Sequence, residues 1–118
     1  MRMWMVDPQI LCQKHLLGEH VECHMFAGVI RKNISLDGYV KNNLLEIRSL
    51  QQRHEDLVVE MLSRNMDHKS IFLINFDIEK YEDHILNFKI DKELALHDLL
   101  SRCRRCRKRW EELTWTED

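Results

Sequence analysis

Residues 8–30, PQILCQKHLLGEHVECHMFAGVI, form the stretch around which the rest of the chain is organised. Asp7 followed by Pro8 is a helix-start signal, because an Asp side chain accepts hydrogen bonds from free backbone N–H groups and Pro is tolerated in the first turn. The stretch has no further Pro. It therefore predicts one helix of roughly 23 residues and about 34 Å.

Helical spacing sorts the side chains of this predicted helix into apolar and polar strips. Two apolar strips separated by polar ones predict a central helix that neighbours contact from both sides. A carboxylate on such a helix is costly unless it is paired or lies in a cleft, so Glu22 and His15 are the first candidate functional residues. The alternative is a purely structural role for Glu22, in which an ion pair with Arg2 holds the N-terminal arm in place. The strips are Ile10, Leu17, Val21 and Met25; Leu16, Cys23 and Ile30; Gln9, Gln13, His20 and His24; and His15, Glu19 and Glu22.

The composition predicts a single domain that spans residues 1–118. Hydrophobic residues make up 44% of the 118-residue chain and charged residues 32%, as in soluble globular proteins. With only 3 Gly and 1 Pro, Gly-rich phosphate loops and many-turned β architectures are disfavoured. No apolar run approaches a membrane span and the start lacks secretory-signal features, so we expect no membrane partner and an intracellular, cytoplasmic location with reduced cysteines. The net charge of −2 argues against a strongly basic nucleic-acid coat but allows a local basic face.

Two further helices are predicted, from about residue 44 or 45 to 64 and from about residue 92 to 111. We expect Asn65 to terminate the first and Asp91 to cap the second. Residues 31–43 indicate a loop, whereas residues 70–88 fit either a short strand or an irregular packed segment. The apolar arm of residues 1–6 is expected in a groove between helices, with Met1 retained before the bulky Arg2. The predicted fold is all-α, a single compact domain of about three helices with the N-terminal arm packed between them.

Two pairs of potential metal ligands have helical spacing. Cys12 and His15 are three apart, as are Cys103 and Cys106, and packing of the first helix on the last would create a tetrahedral Cys₃His zinc site. The alternative is that the cysteines are simply small buried residues. His20 and His24, four apart, also have a metal-compatible spacing, although such pairs are commonly solvated or satisfied by neighbours.

A basic run near the end of the chain has two interpretations. It is either a phosphate-binding face or a solvated helix terminus favoured by the helix dipole. The run consists of Arg102, Arg104, Arg105, Arg107, Lys108 and Arg109.

The arm and first helix resemble the pyrimidine-dimer DNA glycosylase family. The resemblance is carried by Arg2 directly after the N-terminal residue and by LCQKHLLGEHVECHMFAGVIRK, residues 11–32. RSLQQRHEDLVVEMLSRNMD, residues 48–67, matches the family's second long helix more loosely, so the resemblance covers about residues 1–70. The chain also resembles phage-encoded proteins grouped with this family, which have the same Cys-x-x-Cys near the end. This resemblance implies that the protein acts in the cytoplasm of an infected bacterium. The residues at family positions are His15, Leu16, Glu19, Glu22, Gly28, Arg31 and Lys32.

The resemblance implies an enzyme that cuts double-stranded DNA at a damaged base, as a monomer and without a required cofactor. The family's N-terminal α-amine attacks the sugar C1′, expels the base and forms a Schiff base, and β-elimination then breaks the strand. Carried over, Met1 supplies the amine and Glu22 the acid/base carboxylate. An α-amine is a weaker base than a lysine side chain, so more of it is neutral and nucleophilic near pH 7. The expected DNA contacts are Arg2, His15, His20, His24, Arg31, Lys32, Arg104 and Arg105.

The chain departs from the family at Val21 and Met25, where the family has arginines that help to hold damaged DNA. This departure motivates an alternative function. In it the protein is a non-catalytic module, stabilised by a structural zinc, that binds nucleic acid or a protein. A third interpretation is a small-molecule hydrolase that uses His15, Glu19 and Glu22.

Overall fold

The computed structural model describes residues 1–68 and 77–115, and all regular secondary structure in these ranges is helical. The all-α prediction is confirmed. No helix in the described ranges combines the length and the apolar character needed to cross a membrane. Residues 70–76 of the ambiguous segment 70–88 lie outside the described residues. In chain order the elements are a 3₁₀ turn Pro8–Ile10, α1 Gln13–Arg31, α2 Asp37–Lys41, a 3₁₀ turn Ile47–Ser49, α3 Leu50–Ser63, α4 Asp83–Leu86, α5 Lys92–Arg102 and α6 Arg104–Thr114.

The single helix predicted over residues 8–30 is interrupted. Asp7 does cap a helical turn, since its side chain accepts a 2.9 Å hydrogen bond from the Gln9 N–H, but that turn ends at Ile10. Leu11 and Cys12 are extended and buried, and α1 begins only at Gln13. The extended link turns the Cys12 N–H toward the Cys106 sulfur on α6, at 3.2 Å, a long-range contact that local periodicity does not encode.

The prediction that α1 is contacted on both apolar strips is wrong. Leu17, Val21 and Met25 are 45%, 45% and 48% exposed. The helix instead buries a face on which Glu19 and His20 lie among apolar residues. Both polar side chains are buried beside specific partners. Arg53 forms an ion pair with Glu19, and the rings of three other histidines pack against His20. The buried face of α1 consists of Leu16, Glu19, His20, Cys23, Phe26, Ala27 and Ile30.

The other predicted elements are present with altered boundaries. A 3₁₀ turn precedes α3, the predicted loop over residues 31–43 contains α2, and the predicted last helix is divided at Cys103 into α5 and α6. Asn65 follows the end of α3 in the left-handed conformation with φ 61°, as expected of a terminator. Asn33 and Asn43 play the same part after α1 and α2, with φ values of 59° and 63°.

The N-terminal arm is packed inside the domain, as predicted. Met3, Trp4 and Val6 are buried, and the Met3 N–H donates a 2.8 Å hydrogen bond to the Leu44 carbonyl. The Arg53 guanidinium donates to the Val6 carbonyl at 2.7 Å and also pairs with Glu19. This buried contact connects the arm, α1 and α3, and so fixes where the N-terminus lies.

Candidate functional site

An open cleft of about 560 Å³ lies where the arm passes the exposed side of α1 and reaches α5. Its volume is within the range of pockets that enclose a small organic group. Five of its lining side chains are ionisable; four of them were singled out from the sequence, and the fifth, Asp98, is the partner of Arg2. The lining residues are Met1, Arg2, Trp4, His15, Glu22, Asn42, Leu44, Asp98 and Arg102.

The cleft brings the N-terminal amine and a carboxylate together. The Met1 nitrogen lies 3.6 Å from Oε1 of Glu22, and the Arg2 backbone N–H donates a 2.9 Å hydrogen bond to the same oxygen. Glu22 is 26% exposed at its side chain, so the pair is reached from solvent. A nucleophilic amine beside a proton acceptor in an open cleft is the arrangement that Schiff-base chemistry requires.

The Arg2 side chain does not form the ion pair with Glu22 that the structural alternative required. Its guanidinium stacks 3.7 Å from the Trp4 ring centroid, and Nη1 lies 3.7 Å from the Asp98 carboxylate. Burial lowers the pKa of Arg2, with the Asp98 charge opposing the shift. Its Nε is buried and has no hydrogen-bond partner among the described residues.

A second opening of about 450 Å³ adjoins the cleft and carries a basic rim. It shares His15 and Arg102 with the cleft and adds Lys14, Arg104 and Arg105. Arg104 and Arg105, both predicted to bind DNA, therefore line an opening that adjoins the cleft of the amine and carboxylate. Arg31 and Lys32, also predicted as DNA contacts, are exposed at the far end of α1, about 14 Å along the helix axis from Glu22.

Three residues of the predicted cysteine and histidine cluster, Cys12, His15 and Cys103, line the second opening, and the fourth, Cys106, is fully buried. The ligand atoms of Cys12, His15, Cys103 and Cys106 all lie within 4.8 Å of one another. Nδ1 of His15 is 3.2 Å from the Cys12 sulfur and 3.6 Å from the Cys106 sulfur, and the Cys12 and Cys103 sulfurs are 3.8 Å apart. In a tetrahedral zinc site the standard bond lengths give separations of about 3.8 Å between sulfurs and about 3.6 Å between sulfur and nitrogen. The three separations lie within about 0.4 Å of these values, and all four ligand atoms lie close enough together to share one ion.

The surroundings of the cluster shift the pKa values of the Cys103 and Cys106 thiols in opposite directions. Burial raises the pKa of the Cys103 thiol, but hydrogen bonds from Cys106, Cys12 and the Arg105 backbone outweigh it, and the net shift is downward. At Cys106 burial dominates and the pKa is raised. The Cys103 sulfur also caps α6 by accepting from the Cys106 N–H at 3.4 Å, so the site and the helix start depend on each other.

A second cluster joins the predicted pair His20 and His24 to two histidines that sequence reasoning missed. His54 on α3 and His68 after α3 place their rings against the pair, and the ligand nitrogens of all four lie within 4.8 Å. His20 is 6% exposed and packs between α1 and α3, so the prediction that it contacts DNA from the helix surface does not fit its position. His54 could have been found, because it stands at a core position in the helical series Leu50, His54, Leu57 and Met61.

Burial governs the protonation of these rings. It lowers the pKa of His20 to about 4, with a smaller contribution from the neighbouring imidazoles. It also lowers the pKa values of His24 and His54 below the ordinary range. These three rings are therefore neutral near pH 7.

Glu19 is absent from the cleft lining. It is 1% exposed, and its two oxygens accept from Arg53 at 2.6 and 2.9 Å. A carboxylate held in this way does not serve a hydrolase site with His15 and Glu22, and the basic rim also counts against that third interpretation.

The structure thus defines a small all-α protein whose N-terminal amine and Glu22 carboxylate share one cleft. The family model described as pyrimidine dimer DNA glycosylase matches residues 1–73, more than half of the chain. The chain belongs to this family, and at the family level its role is DNA repair. The match includes Met1 and Glu22, whereas Cys103 and Cys106 lie beyond it. No curated protein and no solved structure matches the chain significantly.

Proposed function

We propose that the protein is a DNA glycosylase and AP lyase that acts on a damaged base of the pyrimidine-dimer type through its N-terminal amine. The observation that carries this proposal is the 3.6 Å separation between the Met1 nitrogen and Oε1 of Glu22 in an open cleft. Both residues lie within the part of the chain that matches the family. The resemblance to phage-encoded members extends the proposal to the cytoplasm of an infected bacterium.

In the proposed reaction the neutral Met1 amine attacks C1′ of the damaged nucleotide. The bond from C1′ to the base breaks, the base leaves with the bonding electrons and gains a proton, and opening of the sugar ring yields an iminium, the Schiff base. Loss of a C2′ proton then expels the 3′ oxygen and breaks the strand. Glu22 accepts the amine proton and stabilises the positive charge on the sugar, while its hydrogen bond from the Arg2 N–H holds it in place.

Substrate binding in this proposal uses the basic rim and the exposed strip of α1. A stacked nucleotide reaches the cleft only after flipping out of the duplex. Lys14, Arg104 and Arg105 would contact the flanking phosphates. Val21 and Met25, at the family's arginine positions, would offer apolar contacts to the bases beside the lesion, because both are exposed and Met25 follows Glu22 by one helical turn.

Borohydride trapping on a duplex with one abasic site tests the amine chemistry. We expect a covalent adduct with the unmodified protein and none when a two-residue extension before Met1 displaces the amine from Glu22. The matched control is Lys14→Arg, since Lys14 is the lysine on the rim; this variant should still be trapped. An adduct that survives the extension, or one that disappears in Lys14→Arg, contradicts the role of Met1.

The Cys₃His cluster is proposed to hold a structural zinc. The short contacts among its sulfurs and Nδ1 of His15 support this, as does the positive rim, which offsets the charge of three thiolates. Such a zinc would tie the start of α1 to α6. Because the His15 ring also lines the cleft, ligation through Nδ1 would fix that ring beside the substrate rather than remove it.

Cys103→Ser is expected to hold one zinc fewer per chain than the wild type and to unfold at a lower temperature, because a structural zinc contributes directly to folding. Elemental analysis and thermal unfolding measure the two effects. Cys23→Ala is the matched control, since Cys23 is buried in α1 outside both clusters and its loss should leave the zinc content unchanged. Equal zinc in Cys103→Ser and the wild type contradicts the assignment.

A further inference from the structure

We propose that His20, His24, His54 and His68 form a second metal site, separate from the cysteine cluster, that takes a divalent first-row transition metal such as zinc. This goes beyond the proposed DNA chemistry and does not depend on it. Five of the seven histidines of the chain lie in the two clusters; His84 and His97 remain outside them.

The geometry of the four side chains supports the site. His20 and His24 project from successive turns of α1, and His54 and His68 approach from α3 and the segment after it. One ligand nitrogen from each lies within 4.8 Å of all the others. Nε2 of His24 and Nε2 of His54 are 3.1 Å apart, close to the separation of about 3.3 Å that standard zinc–nitrogen bonds give in a tetrahedral site.

Unpaired buried nitrogens provide a second and independent observation. His20 is 6% exposed, and neither of its ring nitrogens has a hydrogen-bond partner among the described residues. Nε2 of His68 is likewise buried, and no described residue is its hydrogen-bond partner. Since buried polar atoms in folded proteins are nearly always hydrogen-bonded, these nitrogens require an explanation. A metal ion between the rings would satisfy one nitrogen of each.

The surroundings of His54 match those of a metal ligand. Its Nδ1 lies 3.2 Å from the Glu55 carboxylate, which orients the ring so that Nε2 points toward the other histidines. Metal-bound histidines commonly donate their second N–H to a carboxylate in this way, which fixes the tautomer. The lowered pKa values of His20, His24 and His54 agree with neutral imidazole, the form that binds metals.

Packing of the imidazole rings against one another does not by itself explain the arrangement of their nitrogens. The imidazoles do make aromatic contacts, with centroid separations of 4.8–5.4 Å across the cluster. Packing explains why the rings touch. It does not explain why four nitrogens converge, or why the buried nitrogens of His20 and Nε2 of His68 have no partner among the described residues. A set of four imidazoles suits zinc, copper or nickel and disfavours magnesium and calcium, which prefer oxygen.

The site would act as a cross-link and not as part of the cleft. His20 and Glu22 differ by two positions, about 200° around α1, so they face nearly opposite sides of the helix. A metal held there would join α1 to α3 and to the chain that follows α3. Four protein ligands fill a tetrahedral zinc, which is typical of structural sites.

Metal stoichiometry tests the proposal on the full-length, tag-free protein after zinc loading and removal of unbound ion. We expect two zinc ions per chain in the wild type and one in each of His24→Gln and His68→Gln. His68 lies outside the helices, so this variant removes a ligand without changing a residue of α1 or α3. His97→Gln is the matched control, because His97 is exposed and outside both clusters; it should keep two.

Cobalt loading separates the two sites by their spectra. In the Cys103→Ser background, cobalt at the histidine site should give tetrahedral visible absorption without the near-ultraviolet band of thiolate-to-cobalt charge transfer, and His68→Gln should abolish that visible absorption. The proposal is overturned if the wild type holds a single zinc that is lost in Cys103→Ser and kept in His24→Gln and His68→Gln. It is also overturned if folded His68→Gln, judged by circular dichroism, holds two.

Discussion

Glu22→Gln is expected to lower the rate of strand cleavage at an abasic site by at least about 10²-fold, the usual contribution of a positioned acid/base group. Gln keeps the shape of the side chain and can still accept the Arg2 N–H, so the arm should stay in place. What it loses is the charge that stabilises the cationic sugar and the capacity to take a proton from the Met1 amine, 3.6 Å away. Single-turnover cleavage of a labelled duplex near pH 7 measures the change.

The comparison needs controls for folding and for charge. Thermal unfolding of Glu22→Gln should match that of the wild type, because the carboxylate lies in an open cleft. Glu112→Gln removes the same charge from an exposed position of α6 and should cleave at the wild-type rate. If Glu22→Gln cleaves normally while the extended N-terminus is inactive, the amine acts without this carboxylate and the acid/base role of Glu22 is wrong.

Features set by short-range spacing could be predicted from the sequence. The helical class, the core of α3 and the approach of Cys12 to His15 follow from residues three or four apart. The metal cluster also needed the last helix to meet the first, which the sequence suggested only through its second pair, Cys103 and Cys106. The approach of Met1 to Glu22 came from the family resemblance rather than from periodicity.

Features that depend on long-range partners could not be predicted. The strip of Leu17, Val21 and Met25 has ordinary core spacing, yet no described element covers it, because the arm and α3 pack on another face. That face contains Glu19 and His20, whose burial depends on partners 34 or more residues away. Periodicity records which residues share a face but not whether a polar residue has a partner there.

Arg53→Met is expected to destabilise the protein by about 3–5 kcal/mol, the usual cost of removing one partner of a buried ion pair. Both side chains of the Arg53–Glu19 pair are at most 4% exposed, so the carboxylate would be left in the interior without its counter-charge. The Val6 carbonyl would also lose its 2.7 Å donor, which loosens the arm that holds Met1 in the cleft. Urea unfolding at pH 7 measures the loss of stability.

Two comparisons separate the buried charge from other effects of the substitution. Arg48→Met breaks the exposed pair with Glu79, in which the side chains are 43% and 61% exposed, and should cost no more than about 1 kcal/mol. Adding Glu19→Leu to Arg53→Met removes the stranded carboxylate and should restore much of the lost stability, because apolar replacements of a buried pair are often tolerated. If the double variant is as unstable as Arg53→Met alone, the loss arises from the Val6 contact and the arm, not from the unpaired charge of Glu19.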